Sequence, residues 1–294
     1  MSAVTKRSTG SALALRLERV GSRALITYVP LVILLAFLLT PFYWMIITSF
    51  KPDSELYSSA ISPLVVWHPT LVQFQQLFSL TPYLEWAANS LIVSSLSTGI
   101  ALLFGLPAGY AMARLRFRGS GAVGMAIFGT YLVPATLLFI PMYQVILSLG
   151  LLDTKWALVV VYPTFLTPFC TWLMSGYFKT IPKELEDCAR VDGSSRFGAM
   201  WRIAIPLAKP GIISAGIFAF TASWNEFLYA LTLVSDVDQK TLPLGVVATL
   251  MNFDAYPWGS LMAGALLGSI PIAIIYSFFV ENYAVGLTAG AVKG

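Results

Sequence analysis

Two groups of residues in this sequence have the types and spacing to do chemistry. The first is a single carboxylate, Glu226, in the run Trp224-Asn225-Glu226-Phe227 deep inside an apolar stretch. A charge near the centre of a bilayer costs about 2.5 kcal/mol or more, so this group must face the interior of a helix bundle or water. Three roles fit it: lining a polar path, holding helices together by hydrogen bonding, or relaying protons. A relay needs a chain of ionisable groups, and no other clear candidate lies deep in an apolar stretch. Tyr131, Tyr143, Gln144, Asn225 and Tyr229 are secondary path candidates, with interfacial or packing roles equally open to each.

The second group lies between Tyr177 and Gly211, the only long charged segment flanked by strongly apolar ones. Pro182 and Pro206 bracket it, Asp192-Gly193 makes a turn, and Ser194 or Ser195 caps a second helix after that turn, so two short helices are expected. The first carries Glu184, Glu186, Asp187 and Arg190; the second carries Phe197, Met200 and Trp201 at helical spacing among Arg196 and Arg202. An apolar ridge with a basic border then faces out of the membrane, and it wants a protein groove.

Bond-making chemistry has no comparable signal. There is no nucleophile-base set, no paired catalytic acids and no phosphate-binding loop; Gly286-Leu287-Thr288-Ala289-Gly290 lacks the Lys-Ser/Thr ending of one. His68 is the single histidine, and no Cys, His or carboxylate cluster has metal-ligand spacing, so no metal is expected. Cys170 and Cys188 fall in two distant environments, which predicts two free thiols. The chain reads as a non-enzyme that borrows its energy.

The elements that must position these residues are membrane helices. Hydrophobic residues make up 57% and charged ones 11% of the chain, far from the quarter charged of soluble domains. Mean hydropathy is +0.76. Six apolar stretches are long enough to cross about 30 Å of hydrocarbon: approximately 25–48, 87–112, 122–148, 156–177, 211–234 and 259–282. The first is too long for the core of a cleaved signal and reads as a retained anchor. Before it, residues 11–24 form either a short basic helix on the inner leaflet or a disordered tail. The predicted division is a basic tail 1–24, a six-helix unit 25–282 with a charged loop 178–210 and an opposite loop 235–258, and a tail 283–294.

Basic residues set the orientation, because cytoplasmic loops retain Lys and Arg. Of the 18, only Lys51, Lys155 and Lys240 fall on the opposite side, so both termini and the charged loop face the cytoplasm. The net charge of +4 is a topology signal and implies no nucleic-acid partner. Outside, residues 49–86 hold Trp67 and a short helix near 70–79, and Gly150 to Thr154 make a tight turn. The loop 235–258 offers Asp236, Asp238, Asn252, Asp254, Tyr256 and Trp258, which suit sugar contacts or an ordinary solvated loop. Pro107, Pro134, Pro141, Pro163, Pro168 and Pro271 fall within spans as bending points, and Gly264, Ala265 and Gly268 allow close packing.

The charged loop resembles the loop by which permease subunits of ABC importers dock on their ATPases: Glu-Ala-Ala, three residues, Gly, and a later apolar residue with Leu-Pro. Here the run is Asp187-Cys188-Ala189, Arg190-Val191-Asp192, Gly193, and then Ile205-Pro206-Leu207. Asp for Glu keeps the charge and shortens its reach. From about residue 87 onward the chain is similar to the MalG-like permeases of maltose-type carbohydrate importers. The further matching pieces are Gly150-Leu151-Leu152-Asp153-Thr154, Trp224 to Phe227, Thr241-Leu242-Pro243-Leu244-Gly245, Leu261-Met262-Ala263-Gly264-Ala265 and the ending from Gly286 to Gly294.

That resemblance implies an all-α type I importer permease in a prokaryotic cytoplasmic (inner) membrane, forming half of a sugar path with a second permease subunit. ATP and Mg would sit on two partner ATPase subunits, with no cofactor on this chain, and an external solute-binding protein would deliver cargo. Glu184, Glu186, Asp187, Ala189, Asp192, Gly193, Phe197, Met200 and Trp201 would seat in the ATPase, and Leu287, Thr288 and Gly290 would reach between the two ATPases. Asp238, Asn252, Asp254 and Tyr256 would probe the binding protein. ATPase closure would be passed on as rigid-body alternating access. Cargo of the polyol or glycerol-phosphate type is the alternative within this class. An ion-coupled carrier using Glu226 is the alternative outside it.

Overall fold

Proline ends some helices of this chain and is carried inside others: Pro134 separates two, whereas Pro107, Pro163, Pro168 and Pro271 lie within helices. The computed structural model describes residues 8–115, 119–251 and 257–288, with side chains throughout except at 8–25, 128, 131, 135, 249 and 280–288. In order, the helices are α1 (Ser8–Ser49), α2 (Asp53–Leu56), α3 (Val72–Leu80), α4 (Tyr83–Arg114), α5 (Ser120–Leu132), α6 (Phe139–Ser148), α7 (Lys155–Thr180), α8 (Glu184–Val191), α9 (Arg196–Ala199), α10 (Ile205–Leu207), α11 (Lys209–Trp224), α12 (Leu228–Leu233), α13 (Leu242–Leu250) and α14 (Trp258–Thr288). Residues 11–24 belong to α1, which runs unbroken into the first apolar stretch.

Four helices among the described residues are long and apolar enough to cross a membrane: Ile26–Ser49, Tyr83–Arg114, Lys155–Thr180 and Trp258–Phe279. A fifth is added only if Arg196–Leu207 and Lys209–Trp224, bent by 76°, count as one span. The six continuous crossings expected from hydropathy therefore need correction at two places. At 122–148, Pro134 forces Val133 into an extended conformation (φ −68°, ψ 122°), and a single 3-10 turn, Ala135–Leu138, separates α5 from α6. At 211–234, α11 stops at Trp224 and the chain restarts as α12 after an irregular Asn225-Glu226-Phe227.

α4 and α7 form the most closely packed pair. Gly105 and Gly109, one turn apart on α4, make this possible. A Cβ on Gly105 would stand 2.8 Å from the Cys170 Cβ, and one on Gly109 would stand 2.9 Å from the Met174 Cβ and 3.0 Å from the Thr171 carbonyl. Backbone meets backbone there, as small-residue pairs allow in membranes. Around this seam Tyr162, Leu166, Met174 and Phe178 are buried with residues of α11 and α12.

The 235–258 stretch is not a wholly solvated loop. Its α13 is a buried helix whose Leu242, Val246 and Leu250 pack with Trp86, Trp224 and Ala263. Gly264 and Gly268 make room for Val246 and Leu242 of α13. The turn at Gly150 to Thr154 docks on the end of α12: the Asp153 N–H donates to the Leu233 carbonyl (3.0 Å), and the Ser235 N–H donates to Asp153 Oδ1 (2.8 Å).

Candidate functional site

The charged segment 178–210 is built from the turn outward. α8 ends in a Schellman motif: the Gly193 N–H donates to the Arg190 carbonyl (3.1 Å) and the Ser194 N–H to that of Ala189 (3.0 Å), with Gly193 at φ +89°. A side chain at that φ is strained, so glycine fits the position. Ser195 caps α9 by accepting the Gly198 N–H (3.0 Å). A π turn, Met200–Ala204, and α10 then lead into α11.

The ridge differs from the sequence expectation in its membership. Phe197 (68% exposed) and Trp201 (50%) stand out as an edge-to-face pair with centroids 6.0 Å apart. Met200 turns inward and is buried, which corrects its expected place on the ridge. It joins Ala204 and Ala208 in the core cluster, on the side of the segment away from Phe197 and Trp201. Val191, 88% exposed, and Leu185, on a different side of α8, are further exposed apolar residues that spacing alone did not assign.

The acids split in the same way. Glu184, Asp187 and Asp192 are exposed, Ala189 is half-buried, and Asp187 makes only a long bond from Arg190 (3.4 Å). Glu186 is buried and does not reach the docking face. One of its oxygens accepts from the Tyr110 hydroxyl (2.6 Å) and the other from Arg114 Nε (2.6 Å), while Arg114 Nη2 donates to the Ile181 carbonyl (2.8 Å). The side chains of this pair are 8% and 5% exposed. A one-residue step is about 100° around a helix, which is why neighbours 186 and 187 point to different partners.

Glu226 sits at the α11–α12 break as a helix cap. Its carboxylate accepts the N–H groups of Tyr229 (2.9 Å) and Ala230 (3.2 Å), and the hydroxyl of buried Tyr162 (2.8 Å). Negative charge at a helix N-terminus is stabilising, and these donors satisfy its oxygens without a basic partner. Of the path candidates, Tyr229 is buried, stacked on Phe165 (6.0 Å) and edge-on to Phe139 (4.6 Å). Asn225, Tyr143 and Gln144 are exposed. The Tyr131 side chain lies outside the described residues.

In the segment expected to face outside, Asp238 is exposed in a short 3-10 turn, whereas Asn252, Asp254 and Tyr256 lie outside the described residues. Outward residues of α4 hold this segment. Trp86 Nε1 donates to the Val237 carbonyl (2.7 Å), and Asn89 Nδ2 donates to those of Asp238 (2.7 Å) and Lys240 (3.0 Å). Lys155 Nζ donates to Asn89 Oδ1 (2.9 Å), and Ser90 accepts the Leu242 N–H (2.7 Å).

The loop between α1 and α3 is clasped by Glu55, which accepts from the Trp67 N–H (3.1 Å), the His68 N–H (2.8 Å) and His68 Nδ1 (2.7 Å). Burial raises the carboxyl's pKa, but these bonds and the His68 charge outweigh it and hold the group below the usual glutamate range. Among the described residues no three His, Cys, Asp or Glu side chains come together as a metal site. Leu287 and Thr288 continue α14 past the expected end at 282, but their side chains, and all of Gly290, lie outside the described residues.

Comparison with known proteins fits this layout. A family model described as a binding-protein-dependent transport system inner membrane component matches residues 105–287. The chain is 35% identical over 272 residues to the inner membrane ABC transporter permease protein YcjP of Escherichia coli (strain K12), covering 91% of this chain and 95% of that protein. It is 36% identical to the sulfoquinovosyl glycerol transport system permease protein SmoH of Agrobacterium fabrum (strain C58), covering 87% and 89%. It is 34% identical to the trehalose/maltose transport system permease protein MalG of Thermococcus litoralis, covering 87% and 92%. A chain in the crystal structure of a bacterial ABC transporter involved in import of the acidic polysaccharide alginate shares the fold, with a TM-score of 0.78, 21% identity and coverage of 96% and 99%. The chain therefore belongs to the inner-membrane permeases of binding-protein-dependent ABC importers, multi-pass transport components rather than ATPases.

Proposed function

We propose that this chain is half of the translocation path for a sugar or oligosaccharide, coupled to separate ATPase subunits through α8 and α9. The observation that carries the coupling is the exposed Phe197–Trp201 pair of α9 and the turn after it, next in the chain to an α8 whose Asp187 and Val191, four residues apart on one face, are also exposed. A knob outside the bilayer has no lipid to cover it, so another protein must.

The complete carrier then comprises a second permease subunit, two ATPases that bind ATP and Mg, and an external binding protein. Both termini face the cytoplasm, and the broken stretches 120–148 and 209–233 complete six crossings. Asn225, Tyr143 and Gln144 line the path, while Glu226 shapes it by holding the α11–α12 break. ATPase closure must favour one arrangement of the spans by differential contact, since only a difference in binding energy shifts an equilibrium. The carbohydrate cargo is supported by the substrates for which the trehalose/maltose and sulfoquinovosyl glycerol permeases, to which the chain is similar, are named.

The test is ATP hydrolysis by the reconstituted complex with its binding protein, challenged with a panel of mono- and oligosaccharides, polyols and glycerol phosphate. Stimulation by a saccharide is expected. Stimulation by a polyol or glycerol phosphate alone would overturn the cargo, and no stimulation in an assembled complex would overturn the coupling.

A further inference from the structure

Glu186 lies on the docking helix but spends both oxygens on α4, which its own chain segment does not join. α8 is connected through the backbone to α7, by residues 181–183, and to α11, through α9 and α10. α4 is 72 residues away from Glu186 in sequence at Arg114, and the link is made entirely by side chains. The carboxylate is gripped at 2.6 Å from both sides, and Arg114 also reaches the Ile181 carbonyl where α7 ends. Tyr110 stands edge-on to Phe178 of α7, with centroids 5.6 Å apart. Splitting a buried ion pair is strongly unfavourable because it strands a charge, so displacing α8 carries the end of α4 with it.

The other end of α4 holds the external segment 237–242, through Trp86, Asn89 and Ser90. Between the ends, 32 residues span about 48 Å at the helical rise. Pro107 removes a rung inside this helix, but Gly105 and Gly109 seat the same stretch against the α7 backbone and leave it no room to bend that way.

We propose that α4 is a rod that ties the cytoplasmic docking helix to the external segment, so that ATPase closure is transmitted to residues 237–242 through Tyr110, Arg114 and Glu186. This rests on the reading that α8 is moved by the ATPases. Linkage is reciprocal, so a partner bound at the external segment biases α8 through the same rod. Tyr110, Arg114 and Glu186 are positioning residues, their side chains buried against one another.

The experiment uses the full complex in liposomes, with a fluorophore attached by azide–alkyne chemistry to an azidophenylalanine in place of Asp238, so that Cys188 of the docking motif stays unchanged in the baseline. The probe is Mg-ATP with vanadate, so no solute need be known. The baseline complex is expected to change fluorescence on trapping. Glu186→Gln is expected to reduce that change by at least about fivefold, the low end of ordinary coupling factors, while the ATPase still co-purifies through the exposed knob. The charge exchange Glu186→Arg with Arg114→Glu is expected to recover most of it, which a merely damaged helix would not do. Asn89→Ala, at the far end, is expected to reduce the change with vanadate trapping intact. An undiminished response in both Glu186→Gln and Asn89→Ala would overturn the rod, as would failure of the exchange to recover the signal. ATPase co-purification undiminished by Phe197→Asp with Trp201→Asp would instead overturn the docking assignment.

Discussion

Replacing Glu226 by alanine takes one acceptor group from three donors at once. The Tyr229 and Ala230 N–H groups lose their cap, a change of about 1 kcal/mol. The Tyr162 hydroxyl, wholly buried, loses its partner, which costs about 1–3 kcal/mol. Glu226→Ala should therefore destabilise by about 2–4 kcal/mol. Glu226→Gln keeps one oxygen for the Tyr229 N–H and presents an amide N–H to the Tyr162 oxygen, but the same amide leaves the Ala230 N–H without its acceptor, so its loss should be about 1–2 kcal/mol. Tyr162→Phe removes one charge-assisted bond and leaves the cap, about 1.5–3 kcal/mol. The assay is the thermal midpoint of the purified chain in detergent, followed by tryptophan fluorescence, beside ATP-driven uptake by the assembled complex. The order Glu226→Ala below Glu226→Gln, with uptake retained in the latter, is expected. A Glu226→Gln chain with native stability and no uptake at any pH would refute the capping role and point to a carried proton.

Three further outcomes come from the geometry. Gly193→Pro cannot adopt φ +89° and should leave the spans folded while disconnecting the ATPase; solute-stimulated hydrolysis at the normal rate would count against the turn. Gly109→Leu puts a Cβ 2.9 Å from the Met174 Cβ, so the α4–α7 backbones must part at about 1–3 kcal/mol, read as a lowered thermal midpoint; an unchanged midpoint would sink the close-contact argument. The Glu55 carboxyl titrates below the ordinary glutamate value. Its clasp therefore contributes in full above that value and is lost as pH falls through the folded pKa. Limited proteolysis at residues 50–70 should accelerate on acidification, and Glu55→Gln should cleave rapidly at neutral pH and show less pH dependence.

Much of the docking segment is legible in the sequence because its signals are local. Asp192-Gly193 and the Ser195 cap need only a few neighbouring residues to form, and they stand where spacing puts them. The long spans α1, α4, α7 and α14 are legible from apolar length. Phase is harder: whether residue 186 or 187 faces out depends on Arg114 and Tyr110, far away in sequence. Helical spacing groups Met200 with Phe197 and Trp201, yet its side chain joins the core with Ala204 and Ala208, which lie beyond it in the chain. Pro134 and the Asn225-Glu226-Phe227 break are visible as residues, but hydropathy averages across both. The Gly105 and Gly109 pair is also in plain view, spaced by four, and marks the α4–α7 contact. α13 is concealed by its length, since nine apolar residues suit a surface turn of helix as well as a buried one.

The most direct measurement is uptake of a radiolabelled saccharide, first identified by its stimulation of the complex's ATPase, into liposomes holding either the purified chain alone or the complete complex with ATP inside. Accumulation above the external concentration by the complex, and none by the chain alone even under a proton gradient, is the expected result. Accumulation against a gradient by the chain alone would contradict a permease moved from its cytosolic knob by a separate ATPase.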